Sequence, residues 1–255
     1  MANKITSFKE YLQKYQESVA NPEGFWAEIA EANFWRKKWD NVLDWRFDGP
    51  DAPDVKWFVN GKLNITENIF ERNMFMRKDQ TAIIWEPNDP KEKEVRLTYG
   101  ELFDKVKQFA NGLKKIGVKK GDRVAIYLPM VPELAIAMLA CARIGAIHSI
   151  VFAGFSSTAL SDRLNDCSTK ALITSDGGYR GTKTIPLKDI ADEALLKSPT
   201  VEHNIVLKRT GQDINWTEGR DIWWHDLIDG VDCENTAEVM DAEDTLFILY
   251  TSGST

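Results

Sequence analysis

The sequence predicts an α/β protein. A parallel sheet layered with helices is expected over residues 98–255, preceded over residues 1–97 by a tryptophan-rich, mostly helical and irregular extension. Three observations predict it. From residue 98 onward, short apolar runs alternate with stretches of helical spacing. Those runs are near-continuous, the pattern of strands buried on both faces of a parallel sheet. Six of the nine tryptophans, Trp26, Trp35, Trp39, Trp45, Trp57 and Trp85, precede residue 98.

In the extension, GFWAEIAEANFWRKKWDNVLDW keeps helical spacing only locally, and DGPDAPD is a loop by its prolines and glycine. An aromatic, loop-rich segment of this kind wraps over a neighbouring core through its rings; stacking on a cofactor is the alternative use. There is no internal repeat and no low-complexity tract.

At residue 98 the alternation begins. Thr98 and Glu101 form a capping box, each side chain able to satisfy an orphan amide at a helix start. Leu102, Val106, Phe109, Leu113 and Ile116 recur at helical spacing, and Gly117 ends the run. GDRVAIYLP turns into a buried strand. Pro132 opens the next helix, where a missing N–H has no consequence. That helix, PELAIAMLACARIG, is apolar on nearly every side and is therefore expected to be buried. HSIVFAG reads as a strand, SSTALSDRLNDC as a helix capped by Ser156 or Ser157, and KALITS as a strand. IPLKDIADEALLK is a helix, HNIVLKR a strand, and TLFILY closes the series. Ligands on such sheets sit at the carboxyl ends of strands. The loops after Gly154, Thr174 and Tyr250 are where chemistry is to be sought.

Composition narrows the classes of function. Hydrophobic residues are 43% and charged residues 28% of 255, an ordinary globular balance. A net charge of -7 argues against a nucleic-acid partner while leaving room for a local basic site. The three cysteines, Cys141, Cys167 and Cys233, show no C-x-x-C spacing and fit free thiols in a reducing cytoplasm. The polar start MANKITSFKEYLQKY carries no apolar signal region, and LAIAMLACARIGAI is too short to span a bilayer. A cytoplasmic protein with no membrane partner is expected.

Three loops are candidates. YTSGST follows a strand; its glycine lets successive N–H groups converge on an anion, and its hydroxyls add uncharged donors. The plain alternative is a polar loop leaving a strand. SDGGYRGTKT nearly matches the phosphate loop G-x-x-x-x-G-K-[ST], with Gly177 and then Thr182, Lys183 and Thr184. Thr182 stands where glycine must let the backbone approach a phosphate, so the nucleotide-hydrolase reading is set aside. Arg180 and Lys183 are left, either gripping an exposed phosphate or decorating a solvated turn. In VFAGFSSTALSDR, Gly154 follows a strand and Ser156 starts a helix, whose free N–H groups favour an anion. His148, His203 and His225 are scattered without metal-ligand spacing, so no metal site is expected. The loop serines have no adjacent base and no G-x-S-x-G elbow, so no protein nucleophile is expected either.

FILYTSGST resembles the phosphate-binding signature of the adenylate-forming enzymes, which include acyl-CoA synthetases, peptide-synthetase adenylation domains and luciferases. VKWFVNGKLNITENIFERN, GDRVAIYLPMVPELAIAMLACARIGAIHSIVFAGFSSTALSDRL, KALITSDGGYRGTKTIPLK and EDTLFILYTSGST resemble, in order and spacing, the acetyl-CoA synthetase branch of that family. The tryptophan-rich start resembles the extension of its acetate- and propionate-type members. The resemblance implies the adenylate-forming fold and a two-step ligation. Acetate attacks the α-phosphate of ATP to give acetyl-adenylate and diphosphate, then the coenzyme A thiol displaces AMP. The implied substrates are acetate, ATP with Mg²⁺, and coenzyme A, with no tightly bound cofactor.

By that resemblance, Thr251, Ser252, Gly253, Ser254 and Thr255 steady the departing diphosphate. Phe152, Ala153, Gly154, Arg180, Gly181, Thr182 and Lys183 hold the nucleotide end of coenzyme A. Lys183 departs from the family's arginine, keeping the charge but losing the planar fork. The resemblance also implies an N-terminal part of a longer enzyme, stopping inside the phosphate loop before the catalytic lysine. The chain alone is therefore expected to hold no complete catalytic set and to make no acetyl-adenylate. A propionate or other short-chain ligase, or a non-catalytic coenzyme A or nucleotide-binding module, is the alternative.

Overall fold

A computed structural model describes residues 4–251. The chain divides into two compact units, Met1–Asn68 with Val239–Asp244, and Ile69–Glu238 with Thr245–Thr255.

In the first unit, helices Phe8–Ala20 and Pro22–Glu31 start on side-chain caps. Ser7 Oγ accepts the Glu10 N–H at 3.2 Å and Asn21 Oδ1 accepts the Gly24 N–H at 3.1 Å. Strands Asn41–Arg46 and Asp54–Val59 pair antiparallel, and Lys62–Leu63 pairs with Met240–Asp241. The tryptophans pack among aromatic neighbours. Trp35 lies 4.9 Å from Trp39 and 5.3 Å from Phe58, ring centre to ring centre, and Trp26 lies 6.2 Å from Trp57. The Trp35 indole N–H donates to the Ala30 carbonyl at 2.9 Å, so its one polar atom is satisfied.

The second unit carries the sheet. Six parallel strands stand side by side in the order Asp221–Trp223, His203–Leu207, Ala171–Ser175, Arg123–Ile126, Ile147–Ile150, Phe247–Ile248. Side chains alternate between its faces, as the two-residue period of a strand requires. Val124, Ile126, Ile173 and Ile205 join one core with helices Tyr99–Lys115, Pro132–Ile144 and Trp224–Ile228. Ala125, Tyr127 and Leu172 join a second core with helices Ser157–Asp166 and Leu187–Leu195. Both faces are covered, which is why the strands read as continuous apolar runs.

The caps read from the sequence are formed. Thr98 Oγ1 accepts the Glu101 N–H at 3.2 Å, while the Glu101 carboxylate accepts the Thr98 N–H at 2.9 Å. Gly117 takes a left-handed φ of +84° after the helix end. Ser156, rather than Ser157, caps its helix, accepting the Ala159 N–H at 3.3 Å. Arg143, inside the apolar helix, is buried because its guanidinium donates to Glu71 and Asn235 and lies over the Phe103 ring.

The structure differs from expectation at four places. The stretch before residue 98 carries, besides its helices, the antiparallel pairs Asn41–Arg46 with Asp54–Val59 and Thr81–Trp85 with Val95–Thr98. Asp221–Trp223, for which no strand was expected, joins the sheet beside His203–Leu207. SDGGYRGTKT, read as a loop, forms an antiparallel hairpin of Gly178–Arg180 with Lys183–Ile185. The apolar run TLFILY contributes only Phe247–Ile248 to the sheet, as an edge strand. Among the described residues, no helix is long and apolar enough to cross a membrane.

Candidate functional site

The strand order sets where a ligand can sit. The chain passes from Arg123–Ile126 to a neighbour on one side, Ile147–Ile150, then crosses to the other side for Ala171–Ser175. The connections leaving Arg123–Ile126 and Ala171–Ser175 run to opposite faces, which opens a crevice at their carboxyl ends. A cleft of about 390 Å³ lies there. Pro129, Met130 and Val131 line it after one strand, Phe152, Ala153 and Gly154 after the next, Gly178, Tyr179 and Arg180 after the third, and Arg209 after the fourth. A second hollow of about 340 Å³ shares Ala153, Gly154, Arg180 and Ile185 with it and adds Lys183.

A buried carboxylate ties the rim together. Asp176 is fully buried and accepts the backbone N–H groups of Gly177, Arg209, Thr210 and Gly211 at 2.6–2.9 Å. The loops after two neighbouring strands are thereby clamped to one side chain. Gly177 is required by closeness: a Cβ there would stand 2.7 Å from Thr210 Oγ1 and 3.0 Å from the Ile185 carbonyl. Arg209, once positioned, donates two bonds to Glu92 at 2.9 and 2.7 Å. Its guanidinium lies 5.2 Å from the Trp85 ring centre and 5.0 Å from that of Tyr179. This cation is already paired, so it props the wall of the cleft rather than standing ready for a ligand.

Arg180 and Lys183 are differently placed. They face each other directly across the hairpin, both exposed. Gly181, with φ +60°, supplies the first position of the two-residue turn between them. Like charges opposite one another on a strand pair are unfavourable, and an anion between them removes that cost. The Gly181 carbonyl accepts a bond from Asn88 Nδ2 at 2.7 Å, which steadies the turn.

The 152–155 turn separates this cleft from another. The Phe155 N–H donates to the Phe152 carbonyl at 3.0 Å, closing the turn, and the buried Tyr127 hydroxyl donates to the Phe155 carbonyl at 2.7 Å. Burial pushes the Tyr127 phenol up to about 12, so it stays a donor. Beyond Phe152 lies a cleft of about 500 Å³ between Met130, Leu134, Phe155, Arg163, Leu249, Tyr250 and Thr251. Phe152 and Met130 belong to both clefts. The Tyr250 hydroxyl donates to Asp166 Oδ2 at 2.6 Å; burial and that bond raise its pKa well above the ordinary phenol.

The structure thus brings Phe152, Ala153, Gly154, Arg180 and Lys183 around adjoining hollows. Gly181 and Thr182 form the exposed hairpin turn beside them. Thr251 stands at the cleft on the other side of Phe152. Ser252, Gly253, Ser254 and Thr255 lie outside the described residues. Sequence reasoning missed Trp85, Tyr179 and Arg209; the strand-end rule, applied also after Leu207, would have flagged the last. Among the described residues, no group of three His, Cys, Asp or Glu side chains could hold a metal ion.

The AMP-binding enzyme family matches residues 70–255, and the family described as the acetyl-coenzyme A synthetase N-terminus matches residues 11–69. An acetyl-coenzyme A synthetase of Syntrophobacter fumaroxidans is 54% identical over 247 residues, covering 96% of this chain and 37% of its own length. One of Magnetococcus marinus is 50% identical over 255 residues, covering 100% and 39%. The acetoacetyl-CoA synthetase of Streptomyces lividans superposes with a TM-score of 0.85 at 26% identity, over 99% of this chain and 37% of its own. The chain therefore spans 37–39% of the length of the relatives it matches here.

Proposed function

The chain belongs to the AMP-binding enzyme family, and from that membership we propose that the protein serves AMP-forming ligation of acetate to coenzyme A. Acetate oxygen attacks the α-phosphorus of ATP, which enters as its Mg²⁺ complex, and the bond to diphosphate breaks. The coenzyme A sulfur then attacks the acyl carbon of acetyl-adenylate, its proton is lost and AMP leaves. Acetate is favoured over acetoacetate because the relatives at 50–54% identity bear the acetyl name, against 26% for the acetoacetyl one.

Both steps place negative charge on phosphoryl or carbonyl oxygens, so the protein's part is to hold donors and cations where that charge develops. In this reading Thr251, Ser252, Gly253, Ser254 and Thr255 steady diphosphate, and Thr251 stands at the cleft beyond Phe152. Arg180, Lys183 and the 152–155 turn, with Gly181 and Thr182, hold the nucleotide end of coenzyme A. The free cysteines fit a reducing compartment, and the cytoplasm is the one assigned.

The observation that carries the reading is the shared wall. Phe152 and Met130 line the cleft beside Arg180 and also the cleft beside Thr251, so ligands of the two steps would meet at one place. The test is acetate-dependent exchange of labelled diphosphate into ATP by the full-length protein, followed by AMP release on adding coenzyme A. Coenzyme A binding with no exchange for any short acid would point to a binding module and refute the ligase.

A further inference from the structure

We propose that Arg163 is a positioning residue that couples the two clefts, holding the 152–155 turn and the segment entering the 251–255 loop in one fixed relation. The proposal rests on the ligase reading for its consequences, though the contacts stand without it.

Arg163 projects from helix Ser157–Asp166 and is 8% exposed. Its guanidinium carbon lies 4.7 Å from the ring centre of Phe155 and 5.0 Å from that of Tyr250. Nη1 donates to the Ala159 carbonyl at 2.7 Å, which anchors the side chain to its own helix. A cation this sheltered needs compensation, and two electron-rich ring faces supply part of it.

The Phe155 backbone and the Tyr250 ring are each tethered as well. The residue bearing one ring is held by Tyr127 through the Phe155 carbonyl, and the other ring by Asp166 through the Tyr250 hydroxyl. With both fixed, the guanidinium between them sets their spacing. The Phe155 ring meets Phe152 edge-on at 5.9 Å, and Phe152 walls both clefts. A continuous set of contacts thus runs from Tyr250, one residue before the hydroxyl loop, to the wall facing Arg180. Phe152 and Tyr250 follow the neighbouring strands Ile147–Ile150 and Phe247–Ile248, which share only two registered pairs. So short a pairing leaves the relation of the two loops to side chains, and Arg163 is the member of that set that touches both rings.

The test compares Arg163→Gln with Arg163→Lys in the full-length protein. Arg163→Gln keeps a planar hydrogen-bonding group but removes the charge, and Arg163→Lys keeps the charge. Arg163→Gln is expected to lower kcat for acetate-dependent diphosphate exchange about 10- to 100-fold, the scale of a small misplacement of reacting groups. It is also expected to raise KM for coenzyme A in the second step. Arg163→Lys should recover at least half of each loss on a logarithmic scale. An effect confined to one half-reaction, or a lysine variant no better than glutamine, overturns the coupling.

Hydrogen exchange provides a readout that needs no activity. Peptides covering 152–155 and 247–251 are expected to exchange faster together in Arg163→Gln, with the strands Arg123–Ile126 and Ala171–Ser175 unchanged. Faster exchange in one peptide only, in neither, or throughout the sheet overturns the proposal. If the unaltered protein shows no diphosphate exchange, the ligase reading fails and this comparison alone decides the coupling. Should Arg163→Gln not accumulate, Phe155→Leu and Tyr250→Leu each remove one ring; each is expected to slow both half-reactions, and damage limited to its own cleft refutes the idea.

Discussion

Arg180→Ala separates a phosphate-binding residue from a structural one by the sign of two effects. In the free protein Arg180 stands opposite Lys183, both exposed, with no ion pair to either among the described residues. A hydrogen bond from a guanidinium to a phosphate contributes about 1.5–3 kcal/mol. Solvent and salt screen an exposed site, which puts the effect toward the lower end. Arg180→Ala is therefore expected to raise KM for coenzyme A about 10- to 30-fold, at about 1.4 kcal/mol per tenfold. Added salt should narrow the gap between the two proteins. Stability should move the other way, because like charges directly opposite cost up to about 1 kcal/mol. The variant should unfold no earlier than the parent on heating without ligand. The assays are coenzyme A-dependent AMP release, diphosphate exchange and a thermal melt. A lowered melting midpoint together with equal damage to exchange and AMP release would refute the reasoning and make Arg180 structural.

Lys183→Arg restores a planar fork beside Arg180 and is expected to lower KM for coenzyme A several-fold while leaving exchange unchanged. His148 is neutral in the fold because burial pushes its pKa down to about 4. The unfolded chain, titrating near the ordinary 6.5, binds the proton first, so this contribution is whole above pH 6.5 and lost as pH falls toward 4. It amounts to about 3 kcal/mol, and His148→Phe should flatten the denaturant midpoint across that window. An unaltered slope would show that the ring is charged without penalty. Asp176→Ala leaves four backbone donors without their carboxylate. At about 1–3 kcal/mol for each buried donor left unmet, a loss of about 3 kcal/mol or more is expected in denaturant melts, with Asp176→Asn intermediate. A change below about 1 kcal/mol would mean that the loops reorganise freely.

The elements most legible in the sequence are those set by local rules. The Thr98 box, Pro132 and Ser156 mark helix starts by their own chemistry, and VAI, ALITS and NIVL announce buried strands because both faces of the sheet are covered. The hairpin at 178–185 was illegible for the opposite reason. GGYRGTK has no apolar alternation, and its strands form beside Thr210 and the Asp176 clamp, contacts made only by folding. Asp221–Trp223 was missed likewise. Its first residue is a carboxylate, buried because Lys188, Arg220 and Asn204 surround it. Burial pushes that carboxyl up, but Arg220, the Thr217 N–H, Lys188 and Asn204 together hold it below the ordinary carboxylate range. Within the site, Arg180 and the 152–155 turn could be named from loops and resemblance. Arg209 could be flagged by its place after a strand, but its role could not, since its partners Glu92, Trp85 and Tyr179 come from distant parts of the sequence.

In the proposed ligase, a sheet of this order would let one edge serve two reactions in turn. Strands ending side by side put their following loops within reach of each other, so neighbouring clefts are separated by one loop rather than by a layer of core. Here that loop is the 152–155 turn, with Phe152 67% exposed and Met130 77% exposed along the divide. A wall made of one exposed ring and one flexible thioether can be displaced at far lower cost than a buried strand. Its root is rigid, tied down through the Tyr127 hydroxyl, so only its crest is free. The ligase reading requires a passage that a thiol can reach from the side of Arg180 once diphosphate has left the side of Thr251. Phe152→Trp, which enlarges the crest without touching its root, is expected to slow AMP release by coenzyme A more than it slows diphosphate exchange. The reverse order of damage would mean that the two clefts do not communicate across this wall.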